Sequence, residues 1–87
     1  MGETKCFEVE LVFTGSLSYT YVLPITGYAV GYGNLFGLDG TVYAYVKENS
    51  CGDTGVCSRN LIYRIVLNEV PEKIGDKFTV FLCYTEF

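Results

Sequence analysis

Four cysteines are the most reactive side chains in this 87-residue chain, and no histidine accompanies them. Without an imidazole, every Ser–His or Cys–His arrangement for nucleophilic catalysis is excluded. A reactive thiolate would need another base or an electropositive neighbour, and Cys51 and Cys57 have only Arg59 near them in sequence. General acid–base chemistry by carboxylates needs two of them held together, whereas the ten acidic residues are spread along the chain. Oxidation is the chemistry left to the cysteines. An even number in a short chain predicts disulfides, with three connectivities open. Cys51 and Cys57 flank a Gly-rich turn, and Cys6 and Cys83 lie on the first and last apolar runs. A Cys51–Cys57 bond would contribute roughly 2.4 kcal/mol of chain entropy, and a Cys6–Cys83 bond roughly 4.5 kcal/mol. The competing states are four reduced thiols, two packed as small hydrophobes, and a structural zinc site, which would lack the usual C-x₂-C knuckle. Neither a metal nor a cofactor is expected.

The segment between Cys51 and Cys57 contains Asp53-Thr54-Gly55. In those three residues the chain resembles the active-site signature of aspartic proteases. The resemblance implies a β-rich chain that dimerises to pair two aspartates, whose shared proton supplies acid and base together. The surroundings depart from the family pattern. Asn49-Ser50-Cys51-Gly52 stands where an apolar strand would lead in, and 32 residues follow the triplet. A turn favouring Asp and Gly accounts for the same residues, and the chain is read as a non-enzyme.

A second segment, Gly27 to Gly40, holds five glycines in fourteen residues, too many for a stable helix. It allows tight turns, a bulge or close approach of another backbone. Gly31-Tyr32-Gly33-Asn34-Leu35-Phe36 fails the dinucleotide pattern at its last position, and no βαβ unit surrounds it. Tyr28, Tyr32, Asn34 and Phe36 suit a binding loop, because tyrosine supplies contact area at low entropic cost. The same rings could instead plug a barrel end. Tyr19 with Tyr21, and Tyr43 with Tyr45, form same-face pairs on separate segments. On neighbouring strands they would build a cross-strand ladder, or a platform for a sugar, base or aromatic ligand.

The elements that must position these residues are strands. Period-two alternation runs through Cys6–Phe13, with Phe7, Val9, Leu11 and Phe13 on a core face and Glu8 and Glu10 wet. Gly15–Ser18 then reads as a hairpin loop to Tyr19–Leu23, with Pro24 ending that strand or setting it at a sheet edge. Further strands are predicted over Thr41–Lys47, Asn60–Asn68 and Lys77–Phe87. The last is apolar on both faces, which places it inside the sheet or in an interface. The expectation is a single all-β domain over residues 1–87, a small five-stranded antiparallel barrel or two-layer sandwich.

The net charge of −4, with six basic residues scattered singly, argues against nucleic acid as a partner. No stretch approaches the ~18 apolar residues of a membrane span. The start of the chain shows no secretory h-region, so a cytoplasmic location is expected, with secretion left open by the four cysteines. The function expected is non-catalytic binding: recognition of a protein partner, with self-association, as in a small inhibitor or accessory factor that could be virus-encoded. The candidate binding residues are Tyr28, Tyr32, Asn34, Phe36, Tyr43 and Tyr45. The alternative is a small-ligand-binding barrel with a tyrosine-lined pocket.

Overall fold

The structure is a computed structural model that describes residues 2–51 and 57–87. Six strands form one antiparallel sheet: β1 (Thr4–Val12), β2 (Ser18–Ile25), β3 (Ala29–Leu35), β4 (Gly40–Cys51), β5 (Cys57–Leu67) and β6 (Lys77–Glu86). Their spatial order is β1-β6-β3-β4-β5-β2. The all-β class agrees with the alternation in the sequence, but the strands among the described residues number six, not five. The additional strand is β3, inside the Gly/Tyr segment expected to be turn or loop.

That order cannot be laid out flat. β1 and β2 are consecutive in the chain yet occupy opposite edges. Five strand spacings of about 4.8 Å separate two such edges in a flat sheet, roughly 24 Å. The six residue steps from Val12 to Ser18 reach only about 20–22 Å when fully stretched. The sheet must therefore curl, and it does so into a half-barrel whose edges approach each other through side chains. The Phe7 and Tyr21 rings meet at 5.7 Å and those of Tyr19 and Phe78 at 5.3 Å. The Thr14 amide donates to the Tyr19 hydroxyl at 3.0 Å. The expected β1–β2 hairpin does not form: β2 pairs with β5 alone, and the 13–17 connection bridges an open seam.

Side chains inside the curl make the core. Leu61, Tyr63 and Ile65 of β5 and Val80 and Leu82 of β6 are fully covered. Phe7, Val9 and Leu11 of β1 face inward as the alternation requires, but they line the seam and are only half-buried. β3 owes its place to its glycines. A Cβ on Gly33 would lie 2.5 Å from the Phe81 carbonyl oxygen and 2.8 Å from a Leu82 methyl, and one on Gly31 would lie 3.0 Å from Ala44. Glycine lets the inner side chains of neighbouring strands close over β3 where the sheet bends. β6 lies between β1 and β3, the interior position that its two apolar faces imply.

Disulfides join Cys6 to Cys83, opposite each other on β1 and β6, and Cys51 to Cys57, at the tip of the β4–β5 hairpin.

Candidate functional site

Alternation that sends apolar side chains into the curl sends the intervening ones outward, and the outer face is where the tyrosines collect. The strand register fixes one row across the whole sheet. Cys6 stands opposite Cys83, Cys83 opposite Tyr32, Tyr32 opposite Tyr43, Tyr43 opposite Arg64, and Arg64 opposite Thr20. A second row places Ile62 between Tyr45 and Val22. Tyr32 and Tyr43 are 56% and 53% exposed, Val30 51%, Val22 48% and Tyr45 44%. This is a patch of large side chains on a rigid backbone, because β3, β4 and β5 are all interior strands.

The candidate binding residues come together better than a loop would allow. Tyr32 and Asn34 project outward from β3, and Tyr43 and Tyr45 from β4 beside it. Phe36 lies just past the end of β3, its ring edge-on to Phe81 at 6.1 Å. Tyr28 lies just before β3 and stacks on Phe87 at 6.4 Å, where the Phe87 amide also donates to the Tyr28 carbonyl at 2.8 Å. Tyr32 is thus carried by β3 with Tyr28 and Phe36 at its two ends, and all three are exposed rather than plugging the barrel. The tyrosine ladder expected from Tyr19, Tyr21, Tyr43 and Tyr45 does not form. β2 and β4 flank β5 on opposite sides, and the first pair points inward while the second points outward.

Sequence reasoning missed Arg64 and Val22, which extend the patch, and Ile62, which lies buried between Tyr45 and Val22. Arg64 gave no signal in the sequence because its position in the row, between Tyr43 and Thr20, depends on long-range register. Its Nη2 donates to the Ser18 hydroxyl at 3.1 Å, which draws the guanidinium across to β2.

Two other features lie apart from this face. An open cleft of about 480 Å³ lies between the β3–β4 turn and the loop before β6, lined by Phe36, Leu38, Pro71, Glu72, Asp76 and Phe78 among others. Of the candidate binding residues it contains only Phe36, and Tyr43 and Tyr45 stand on the outer face away from it. Glu48, Cys51 and Cys57 bring ligand atoms within 4.8 Å of one another, but the two sulfurs are bonded to each other and are not thiolates. The Asp53-Thr54-Gly55 triplet lies outside the described residues. Inside the curl, burial and then repulsion from the Tyr84 and Tyr21 phenolates push the Tyr63 hydroxyl up to about 12, so it stays a neutral hydrogen-bond donor.

Disulfides form and persist in oxidising compartments, so the two bonds favour such an environment over the cytoplasmic default. Among the described residues no helix is long and apolar enough to cross a membrane. No family model, no curated protein and no solved structure matches this chain.

Proposed function

We propose that this chain is a non-catalytic module that recognises a protein partner through its outer tyrosine face, in an oxidising compartment. The observation that carries the reading is the row Tyr32–Tyr43–Arg64, set on three adjacent interior strands, with both tyrosines open to solvent and Arg64 half-buried beside them. Tyrosine and arginine are the residue types in which interface hot spots are enriched. Their cost of immobilisation is low here, since the strands hold the backbone in place before any partner arrives. Around the row, Val30, Val22 and Tyr45 supply apolar area and Asn34 and Thr20 supply polar contacts, the mixture found in recognition surfaces. The exposed side chains form a surface rather than a concavity, which suits a macromolecule better than a small ligand.

The test compares the parent with a Tyr32→Ala/Tyr43→Ala/Arg64→Ala variant, each purified from the native source with all disulfides intact. The parent should retain a stoichiometric protein partner. The variant should lose it while its melting temperature stays within a few degrees of the parent's. Equal retention by both proteins would refute the outer face as the recognition surface.

A further inference from the structure

We infer that β2 is a self-pairing edge, and that two copies of this chain join their sheets through an antiparallel β2–β2 ladder centred on Tyr21. The inference uses the backbone edge of β2 and not the outer side chains of Thr20 and Val22 that border the tyrosine row, and it does not depend on the outer-face reading.

Three observations fix which backbone groups of β2 are free. The Leu67 amide donates to the Leu17 carbonyl at 2.8 Å, so odd-numbered residues of this strand turn their backbone groups toward β5. Ser18, of opposite parity, has both groups engaged by its neighbour: its amide donates to the Ser16 hydroxyl at 3.2 Å, and that hydroxyl donates to the Ser18 carbonyl at 3.0 Å. Pro24 has the same parity as Ser18, which is where a proline fits a strand without removing a ladder bond. The outward edge therefore offers the amides and carbonyls of Thr20 and Val22, with a satisfied residue at one end and a proline at the other.

A second copy related by a two-fold axis matches this pattern. With Tyr21 opposite its own copy, Thr20 faces Val22 of the other chain, and each pair exchanges two hydrogen bonds. Four bonds result, and all four free amides are used. The same register sets Pro24, which cannot donate, against Ser18, which needs nothing. Sliding one step to place Val22 opposite itself would set the Pro24 ring against a free Thr20 carbonyl. Ser18–Ile25 carries no charge, so the two-fold axis brings no like charges together. The other edge, β1, carries Glu8 and Glu10 among its exposed residues, the kind of protection that blocks edge pairing. Pairing would also place Tyr19 beside Leu23 of the second copy and cover these half-buried seam residues.

Sedimentation equilibrium from about 10 μM to 1 mM, the range of a weak edge contact, tests the inference. The parent should pass from monomer to dimer. Val22→Pro removes an amide that faces away from β5, so it should fold and weaken association at least tenfold. If that variant does not fold, charge decides instead: Thr20→Lys/Val22→Lys and Thr20→Glu/Val22→Glu should each be monomeric and should form a heterodimer when mixed. The Tyr32→Ala/Tyr43→Ala/Arg64→Ala variant should dimerise like the parent, which separates this edge from the outer face. A parent that is monomeric at 1 mM, or a dimer indifferent to the β2 changes, would overturn the inference.

Discussion

The hydroxyl of Tyr63 donates to the carbonyl oxygen of Cys83 at 2.8 Å, a buried bond between β5 and β6, which are three positions apart in the sheet. It is made across the interior of the curl and ties together strands that never pair. Tyr63→Phe keeps the ring and removes the donor, leaving the carbonyl without that partner. The expected loss is about 1–2 kcal/mol, read as a lowered urea midpoint with an unchanged slope. A variant as stable as the parent would mean that the bond contributes nothing net.

The same hydroxyl sets a limit at high pH. Its value is pushed up to about 12 in the folded chain, by burial first and then by Tyr84 and Tyr21, against about 10 when unfolded. The unfolded chain therefore gives up this proton first. The stability is fully present below pH 10 and is lost as pH rises toward 12, amounting to about 1 kcal/mol by pH 11. Urea midpoints at pH 8, 10 and 11 should converge for parent and Tyr63→Phe, because the variant lacks this term. Curves that stay parallel would contradict the assignment.

The two disulfides should differ sharply in what they contribute. Replacing Cys6 and Cys83 by Ser releases a separation of 77 residues and should cost about 4–5 kcal/mol, whereas opening Cys51–Cys57 should cost about 2 kcal/mol. Set against a typical domain stability of about 5–15 kcal/mol, the first change should lower the melting temperature far more than the second. Differential scanning calorimetry of the two double variants ranks them, and the opposite order would be inconsistent with this account.

Burial depth should grade the leucines. Leu61 is fully enclosed, so Leu61→Ala should cost about 3–5 kcal/mol. Leu11 has the right face but borders the seam, and Leu11→Ala should cost about half as much. Glu10→Gln touches only an exposed pair with Lys77 at 3.6 Å and should change stability by a few tenths of a kcal/mol. Chemical denaturation gives all three, and equal losses for the two leucines would show that the seam is closed in solution.

How much of this was legible in the sequence depends on distance along the chain. The inward face of β1, the interior place of β6 and the edge place of β2 follow from alternation and from Pro24, all local signals. β3 was hidden because glycine at Gly31 and Gly33 normally speaks for a turn. Here the same residues mark where inner side chains crowd a strand, a demand that arises only once Leu82, Phe81 and Ala44 are in place. Tyr32 and Tyr43 stand out in the sequence by residue type alone, but their alignment with Arg64 depends on the β4–β5 register. The β1–β2 hairpin failed as an expectation for a related reason: a short loop between alternating segments suggests pairing, and only the competition of β6 and β5 for those edges decides otherwise.

Cys6 and Cys83 sit in register on adjacent strands, near the two ends of the described chain, which changes how the molecule would carry a mechanical load. Tension applied through the flanking segments would run from β1 into β6 through a covalent bond. It would bypass the four strands that lie between them in the sequence. Pulling would straighten only the few residues outside the bond, and the outer tyrosine face would keep its shape under forces that peel ordinary sheets apart. Reduction of that one bond would turn a tether that does not extend into one whose whole length can be drawn out.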